Sequence, residues 1–445
     1  MTDANRAGVP PWAQEGVTDV REASRFLVTL RRRDLLSLNC SDADCGYTLT
    51  VLQNRRRGRS LSVSDCTVAG GLPRADLHEY HRDLGIAPSR LYVPQNPSWR
   101  TPLPRCILDD PHLLERIRND SALRSIFFFF KDRAAEDLQR RLGLEPVYCA
   151  PPAAVYERAN DKLVFSEAAR RLGFPAVSSE EIRERDEVAE AYRRASHPYG
   201  EGCILRGRRG AGGSGIRHAG SIREAERIWG SMHRRGAVLI QPYVPPSRIL
   251  HNVCVSGIIL QHGFAPLCVT EQLQKKMAFR GGRTIRAWSD EAVRAVHETM
   301  DGVARWLLDL GYVGAPVGID GFLMRERGGL RFLALDPNIR VTGSMMAWAL
   351  SAVLCEMSGT PFLWEFEWLR VVGRPLSMAL LRQRLGPLLV DPRRLEEGGI
   401  LPRDLSTLGI APLAMSWISV LYLARSAAHL ERLRVATHRL GFYTD

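Results

Sequence analysis

Residues 314–344, GAPVGIDGFLMRERGGLRFLALDPNIRVTGS, constrain the fold more than any other stretch of this 445-residue chain. Two apolar runs, 317–324 and 330–335, flank a polar, glycine-containing break at 325–329. Runs of strand length joined by such a break predict a β-hairpin. Each expected strand carries an acid, Asp320 on the first and Asp336 on the second, and Asn338 follows two residues later. Positions i and i+2 of a strand share a face, so Asp336 and Asn338 point together and Asp320 can lie alongside. Two carboxylates and an amide oxygen make a hard oxygen site of the kind that holds Mg²⁺ on phosphates. Arg340, next in the same parity, adds a cation that suits an anion there. The same residues also read as a surface hairpin with scattered polar side chains.

Upstream, the pattern alternates. Residues 1–24 read as a loosely attached arm. Strands are expected at 26–30, 48–52, 91–93, 106–108, 125–130 and 146–149, with helices at 111–119 and 132–142. Strands alternating with helices predict a parallel, doubly wound α/β layer. No Gly-x-Gly-x-x-Gly follows the first strand, so a dinucleotide fold has no support. Ala150-Pro151-Pro152 reads as a linker, followed by a helix with Asn160 or Asp161 near its start, Lys162 in its first turn, and a basic last turn closed by Gly173 and Pro175. A strand at 202–206 leads into Gly207–Ile216, where the glycines make a loop whose backbone N–H groups can approach phosphate. It also reads as a bare hairpin tip, and it lacks the Gly-Lys-Ser/Thr of a Walker loop. Then come a helix (221–235), a strand (238–243), a hairpin (253–260 and 264–270), a long basic loop (271–286) and a helix (289–310). After the opening hairpin, a helix is expected at 344–357, a strand at 414–423 and a helix at 428–440.

The formal charge of +12 suggests a polyanionic partner. Only four of the 61 basic residues are lysines (Lys131, Lys162, Lys275 and Lys276), and the arginines are spread along the chain. That dispersion mirrors a G+C-rich coding sequence rather than a nucleic-acid stripe, so no nucleic-acid partner is expected. Nine cysteines without Cys-x-x-Cys spacing argue for free thiols, not zinc. No signal-peptide core and no 18-residue apolar run occurs, so a cytoplasmic protein without a membrane partner is expected.

Five of these features, in order over residues 156–350, resemble the ATP-grasp superfamily of carboxylate–amine ligases. They are Asn160-Asp161-Lys162, the strand and glycine loop CILRGRRGAGGSGI, Gln241-Pro242-Tyr243-Val244, Asp320, and Asp336-Pro337-Asn338-Ile339-Arg340. The resemblance implies ATP with Mg²⁺, two ions, held by Asp320, Asp336 and Asn338. It implies Lys162, Arg206 and Arg340 as the phosphate-facing catalytic cations. Gly212, Gly213, Ser214 and Gly215 would form the flap over the nucleotide, and Gln241, Pro242, Tyr243 and Val244 the clamp on adenine. Arg206 stands where the family has a lysine, and Asp320 and Asp336 where glutamates are common. No ribose-binding acid is evident, and His251 and Asn252 are the candidates. Lys275, Lys276, Arg280, Arg283, Arg286 and Ser344 are candidates for substrate contacts.

The flanks resemble pheganomycin-type peptide ligases, which have a pre-ATP-grasp domain. The implied organisation is a flexible arm (1–24), an α/β pre-ATP-grasp domain (25–155), an α+β ATP-grasp core (156–350, flap lobe about 176–245) and a C-terminal α/β domain (351–445). The expected reaction joins an amino acid or other carboxylate to an amine or peptide, in specialised peptide biosynthesis. A D-Ala–D-Ala-type or amino acid–small molecule ligase stays open, as does a nucleotide-binding scaffold. Oligomeric state is open too, a homodimer included.

Overall fold

The computed structural model describes residues 20–30, 32, 34–38, 66–68, 75–86, 90–95, 101–209, 215–234, 236–275, 277–285, 288–326, 328–371, 378–404, 416–439 and 442–443. Three sheets organise them. The first is parallel: β1 (Leu35–Leu38), β2 (Cys66–Val68), β3 (Arg90–Tyr92), β4 (Ser125–Phe128) and β5 (Glu145–Pro146), in the order β3-β2-β1-β4-β5. This is the expected α/β layer, with β4 buried along its whole length.

Several local expectations change. Residues 26–30 belong to helix Val20–Leu30, which also takes in the end of the expected arm. Ala23, Phe26 and Leu27 are buried, at i, i+3 and i+4, a helical stripe that a short apolar run conceals. Residues 106–108 close helix Leu103–Leu108, with Leu103, Cys106 and Ile107 buried at the same spacing. The expected strand at 146–149 shortens to Glu145–Pro146, and the one at 48–52 lies outside the described residues.

The second sheet is antiparallel: β6 (Glu180–Ile182), β7 (Cys203–Gly207), β8 (Arg217–Ala219) and β9 (Val238–Pro242), in the order β6-β9-β7-β8. Helices Val188–Ser196 and Ile222–His233 share its buried cluster, and Ser221 caps the second by accepting from Glu224 N.

The third sheet dominates the molecule. It contains β10 (Ile249–Leu260), β11 (Gly263–Lys275), β12 (Ala278–Thr284), β13 (Ala315–Glu326), β14 (Gly329–Asn338), β15 (Leu363–Val371), β16 (Gly399–Asp404), β17 (Ser416–Ala424) and β18 (Phe442–Tyr443). Its order is β14-β13-β10-β11-β12-β15-β17-β16, with β18 on β15. Apolar residues of this sheet pack against two long helices. Val253, Val255 and Ile259 pack with Val296, Met300 and Val303 of helix Asp290–Asp309. Ile258 and Cys268 pack with Met345 and Trp348 of helix Gly343–Ser358.

The expected loop at 271–286 is instead mostly strand: β11 runs on to Lys275, and β12 pairs with it and with β15. Its glycines mislead because they serve a close approach. A Cβ on Gly281 would collide with the Phe366 carbonyl oxygen, so only glycine lets β15 pair there. The β12–β15 pairing carries one sheet across the expected boundary at 350/351, which itself falls inside helix Gly343–Ser358. Among the described residues, no helix is long and apolar enough to cross a membrane.

β15 buries two carboxylates. Glu367 accepts from the Tyr422 hydroxyl (2.9 Å) and contacts His438 Nε2 (3.0 Å). Glu365 is 2% exposed and its Oε1 has no hydrogen-bond partner. Burial, and then the charge of Glu367, push the Glu365 carboxyl from 4.5 up to about 7. A carboxyl raised on folding favours the folded state at low pH, and that contribution is gone once pH has risen through the folded value. Thermal melts should therefore show the wild type losing stability between pH 4.5 and about 7, by on the order of 3 kcal/mol. Glu365→Gln should flatten that slope, and an unchanged slope would refute the burial argument.

Candidate active site

The opening hairpin forms as the parity argument predicts. Asp320 on β13 pairs directly with Asp336 on β14, and Gly318 pairs with Asn338. The register shifts between Asp320 and Gly321, leaving Leu335 as an extra residue before Asp336. Asn338 Nδ2 donates to Asp320 Oδ2 (2.8 Å), and Arg340 Nη1 donates to Asn338 Oδ1 (2.6 Å). The three side chains thus form one line along the sheet.

Two cations from other segments converge on Asp336. Lys162 Nζ lies 3.3 Å from its Oδ1, and Arg206 Nη2 donates to its Oδ2 at 2.6 Å. Lys162 opens helix Lys162–Leu172, whose N-cap Asp161 accepts from Leu163 N and Val164 N. Arg206 comes from β7 of the small sheet. Both cations are buried. Burial alone would raise the Asp336 carboxyl, but Arg206 and Lys162 outweigh it and hold the group below its ordinary value. Asp320 has the opposite balance: burial, then the charge of Asp336, raise it to about 6.

Arg206 Nη1 also donates to Gln241 Oε1 (3.4 Å), and Gln241 Nε2 donates to Ser179 Oγ (2.6 Å). Ser179 N in turn donates to Ser166 Oγ (2.7 Å), one turn beyond Lys162. Both ends of the Gln241 amide are thus engaged inside the protein. Arg208, just past β7, grips Asp161 with its Nε (2.8 Å to Oδ2) and reaches Glu181 with Nη1 (3.3 Å). Sequence reasoning misses Ser166, Ser179 and Arg208, because their partners lie well away along the chain and no local pattern marks them.

The segment expected to clamp adenine leaves the end of β9. Pro242 ends β9, Tyr243 N donates to Gly202 O (3.4 Å), and the Tyr243 ring lies 4.4 Å from the His218 ring. Val244 joins Val177, Met324 and Leu333 in a buried cluster, with Phe322 and Leu335 partly buried beside them. This apolar seam joins the small and large sheets. In the flap, Gly215 has φ +74°, while Gly212, Gly213 and Ser214 lie outside the described residues.

Among the described substrate candidates, Arg283 and Ser344 have partners outside this cluster. Arg283 pairs with Glu271 (2.7 Å), which also contacts His251 Nδ1 (3.2 Å). Ser344 is buried and accepts from Thr270 Oγ1 (2.9 Å). Lys275 ends β11, Arg280 sits on β12, and Lys276 and Arg286 lie outside the described residues. The Asn252 amide oxygen is buried without a hydrogen-bond partner.

Solved structures resemble this architecture over nearly its full length. An N5-carboxyaminoimidazole ribonucleotide synthetase from Thermus thermophilus matches with a TM-score of 0.53 at 16% identity, over 91% of this chain and 98% of its own. An L-amino acid ligase from Bacillus licheniformis gives 0.53 at 12% identity, over 92% and 98%. The biotin carboxylase domain of a Hydrogenobacter thermophilus 2-oxoglutarate carboxylase, a dimer with MgADP and bicarbonate, gives 0.53 at 16%, over 92% and 90%. The chain has the ATP-grasp fold. No family model matches the sequence, and no curated protein matches it. The small sheet falls within the residues expected to form the flap lobe, and its Arg206 reaches Asp336 of the large sheet.

The donor set fits Mg²⁺. Among the described residues no three acids, histidines or cysteines cluster. Two carboxylates and an amide oxygen are nevertheless at hand, and Asp320 Oδ1 is buried with no hydrogen-bond partner, an acceptor a cation would satisfy. A metal must displace the proton that Asp320 holds below about pH 6. Calorimetric Mg²⁺ titration should therefore give an affinity that falls about tenfold from pH 7 to pH 5. Asp320→Asn should weaken binding at pH 7 and remove this pH dependence.

Proposed function

We propose that the chain is an ATP-dependent carboxylate–amine ligase that makes an amide bond through an acyl phosphate and releases ADP and phosphate. The observation that carries this reading is the convergence of Lys162 and Arg206 on Asp336, beside the Asp320–Asn338–Arg340 line. A single carboxylate holding two buried cations is a site in wait of more negative charge, and a triphosphate supplies it. The fold supports the reading, since an L-amino acid ligase and a MgADP-bound carboxylase domain share it.

The steps follow from what the residues can do. A substrate carboxylate oxygen attacks the γ-phosphorus, and the bond to the ADP oxygen breaks with its electron pair leaving on ADP. The amine nitrogen then attacks the acyl carbon, phosphate leaves with the electron pair of the broken C–O bond, and the amine sheds a proton to solvent. Lys162 and Arg206 shift from Asp336 to phosphate oxygens, which frees the carboxylate. Arg340 offsets charge on the phosphoryl group in transfer. Asp320, Asp336 and Asn338 would hold Mg²⁺, which would supply further charge neutralisation on the phosphates. The apolar seam of Val177, Val244, Met324 and Leu333 receives the purine face, and the backbone of Gln241–Val244 reads its edge. The carboxylate is an amino acid and the acceptor a small amine or peptide, in keeping with the flank resemblance to specialised peptide ligases.

Mass spectrometry of products formed from ATP, Mg²⁺ and pools of amino acids and short peptides tests the reaction. Asp336→Ala and Asn338→Ala should each lower ADP formation by at least about 10²-fold with the fold retained by circular dichroism. Full activity in either variant rejects the site. Wild-type binding of MgATP without ADP formation from any pair leaves a nucleotide-binding scaffold instead.

A further inference from the structure

We propose that Asn160 is a positioning residue, which sets the place of Arg340 by clamping the peptide group next to it. The inference rests on the functional reading above, in which Arg340 faces the transferring phosphoryl group. Arg340 sits in a short segment between β14 and helix Gly343–Ser358, and segments of that kind are free to move unless tied. Here the tie comes from far away in sequence. Asn160 Oδ1 accepts from Ile339 N (3.0 Å), and Asn160 Nδ2 donates to Ile339 O (3.3 Å). The amide thus pairs with both polar groups of one residue, as a neighbouring strand would.

Asn160 is itself fixed. Its backbone N donates to Tyr156 O (3.0 Å), and its Nδ2 reaches the same carbonyl (2.9 Å), which locks the amide to the end of helix Ala153–Ala159. Two residues on is Lys162, the first residue of the next helix. The segment is held on its other side as well. Val341 N donates to Phe129 O (3.1 Å), just beyond β4 of the parallel sheet. Ile339 and Val341 are both fully buried, in different clusters. Arg340 between them is therefore turned toward Asn338 with little freedom. One side chain, Asn160, thereby ties together the segments that carry Lys162 and Arg340, two of the three phosphate-facing cations.

The chemistry demands asparagine. Only a side chain with an acceptor and a donor on one short planar group can meet both Ile339 N and Ile339 O. Aspartate has the same shape but would set a negative oxygen against the carbonyls of Ile339 and Tyr156. Its steric fit and an acceptor for Ile339 N are retained, and the donor half of the clamp is lost and replaced by repulsion.

The test compares Asn160→Asp, Asn160→Ala, Arg340→Met and the double variant Asn160→Ala/Arg340→Met with the wild type. Three quantities are read: hydrogen exchange at the Ile339 and Val341 amides, MgADP affinity by calorimetry, and the rate of ADP formation with the amino-acid and peptide pools. Both Asn160 variants should expose the Ile339 amide to faster exchange. They should lower kcat by on the order of 10²-fold, the usual cost of misplacing a catalytic group by about an ångström. MgADP affinity and KM for ATP should stay within about twofold, because Arg340 acts on charge that develops in transfer. The double variant should be no slower than Arg340→Met alone. A wild-type-like rate in Asn160→Asp, or full additivity in the double variant, would overturn the inference, since helix capping or packing alone tolerates the isosteric acid. If the wild type forms no ADP, the functional reading fails, and the exchange data still decide on the clamp: unchanged Ile339 protection in Asn160→Asp and Asn160→Ala rejects it.

Discussion

Everything else in this structure is arranged around a carboxylate that holds two cations. Asp336 sits at the end of a strand in the large sheet, Lys162 opens a helix, and Arg206 belongs to a strand of the small sheet. Three elements far apart in the chain must be in register before the three charges can meet. Buried ions are costly to bring out of water unless paired and hydrogen-bonded, and unpairing one is worse than never having buried it. The triad therefore acts as a check on assembly. Its surplus of positive charge, with Arg340 close by, is tolerable in the free protein because Asp336 is held ionised and because Asp320, above about pH 6, adds a second negative charge. When a polyanion arrives, the same groups can redistribute without any charge being left bare.

Much of the site is legible in the sequence because it depends on short-range parity. Asp336, Asn338 and Arg340 alternate on one strand, and a hairpin sets Asp320 beside them. Lys162 is legible because capping residues and a glycine stop frame its helix. What stays hidden depends on distance. Arg206 meets Asp336 across 130 residues, and Gln241 meets Ser179 across 62. No periodicity reports such pairs. The extra residue Leu335 is hidden for another reason: a bulge alters register without altering composition.

The fold shows the same division. Strands and helices long enough to show a period are evident, including the phenylalanine strand β4 and helix Asp290–Asp309. Short amphipathic helices such as Val20–Leu30 read as strands, because an apolar run of a few residues does not distinguish period 2 from 3.6. Residues 271–286 read as a loop because Gly281 and Gly282 look like turn residues. Gly281 instead makes room for the Phe366 backbone and Gly282 for the Phe366 ring, a tertiary requirement that a local reading cannot separate from a bend.

That close approach gives the C-terminal segment a purpose beyond its own core. β12 carries Arg280 and Arg283 and would be the last strand of its sheet if β15 were absent. A long, pleated, unprotected margin invites pairing with another molecule. By pairing with β12, and then adding β17 and β16 beyond, the C-terminal residues act as a selvedge. They carry the open margin away from β12 and finish it on a strand that holds a proline, Pro402, at its register break.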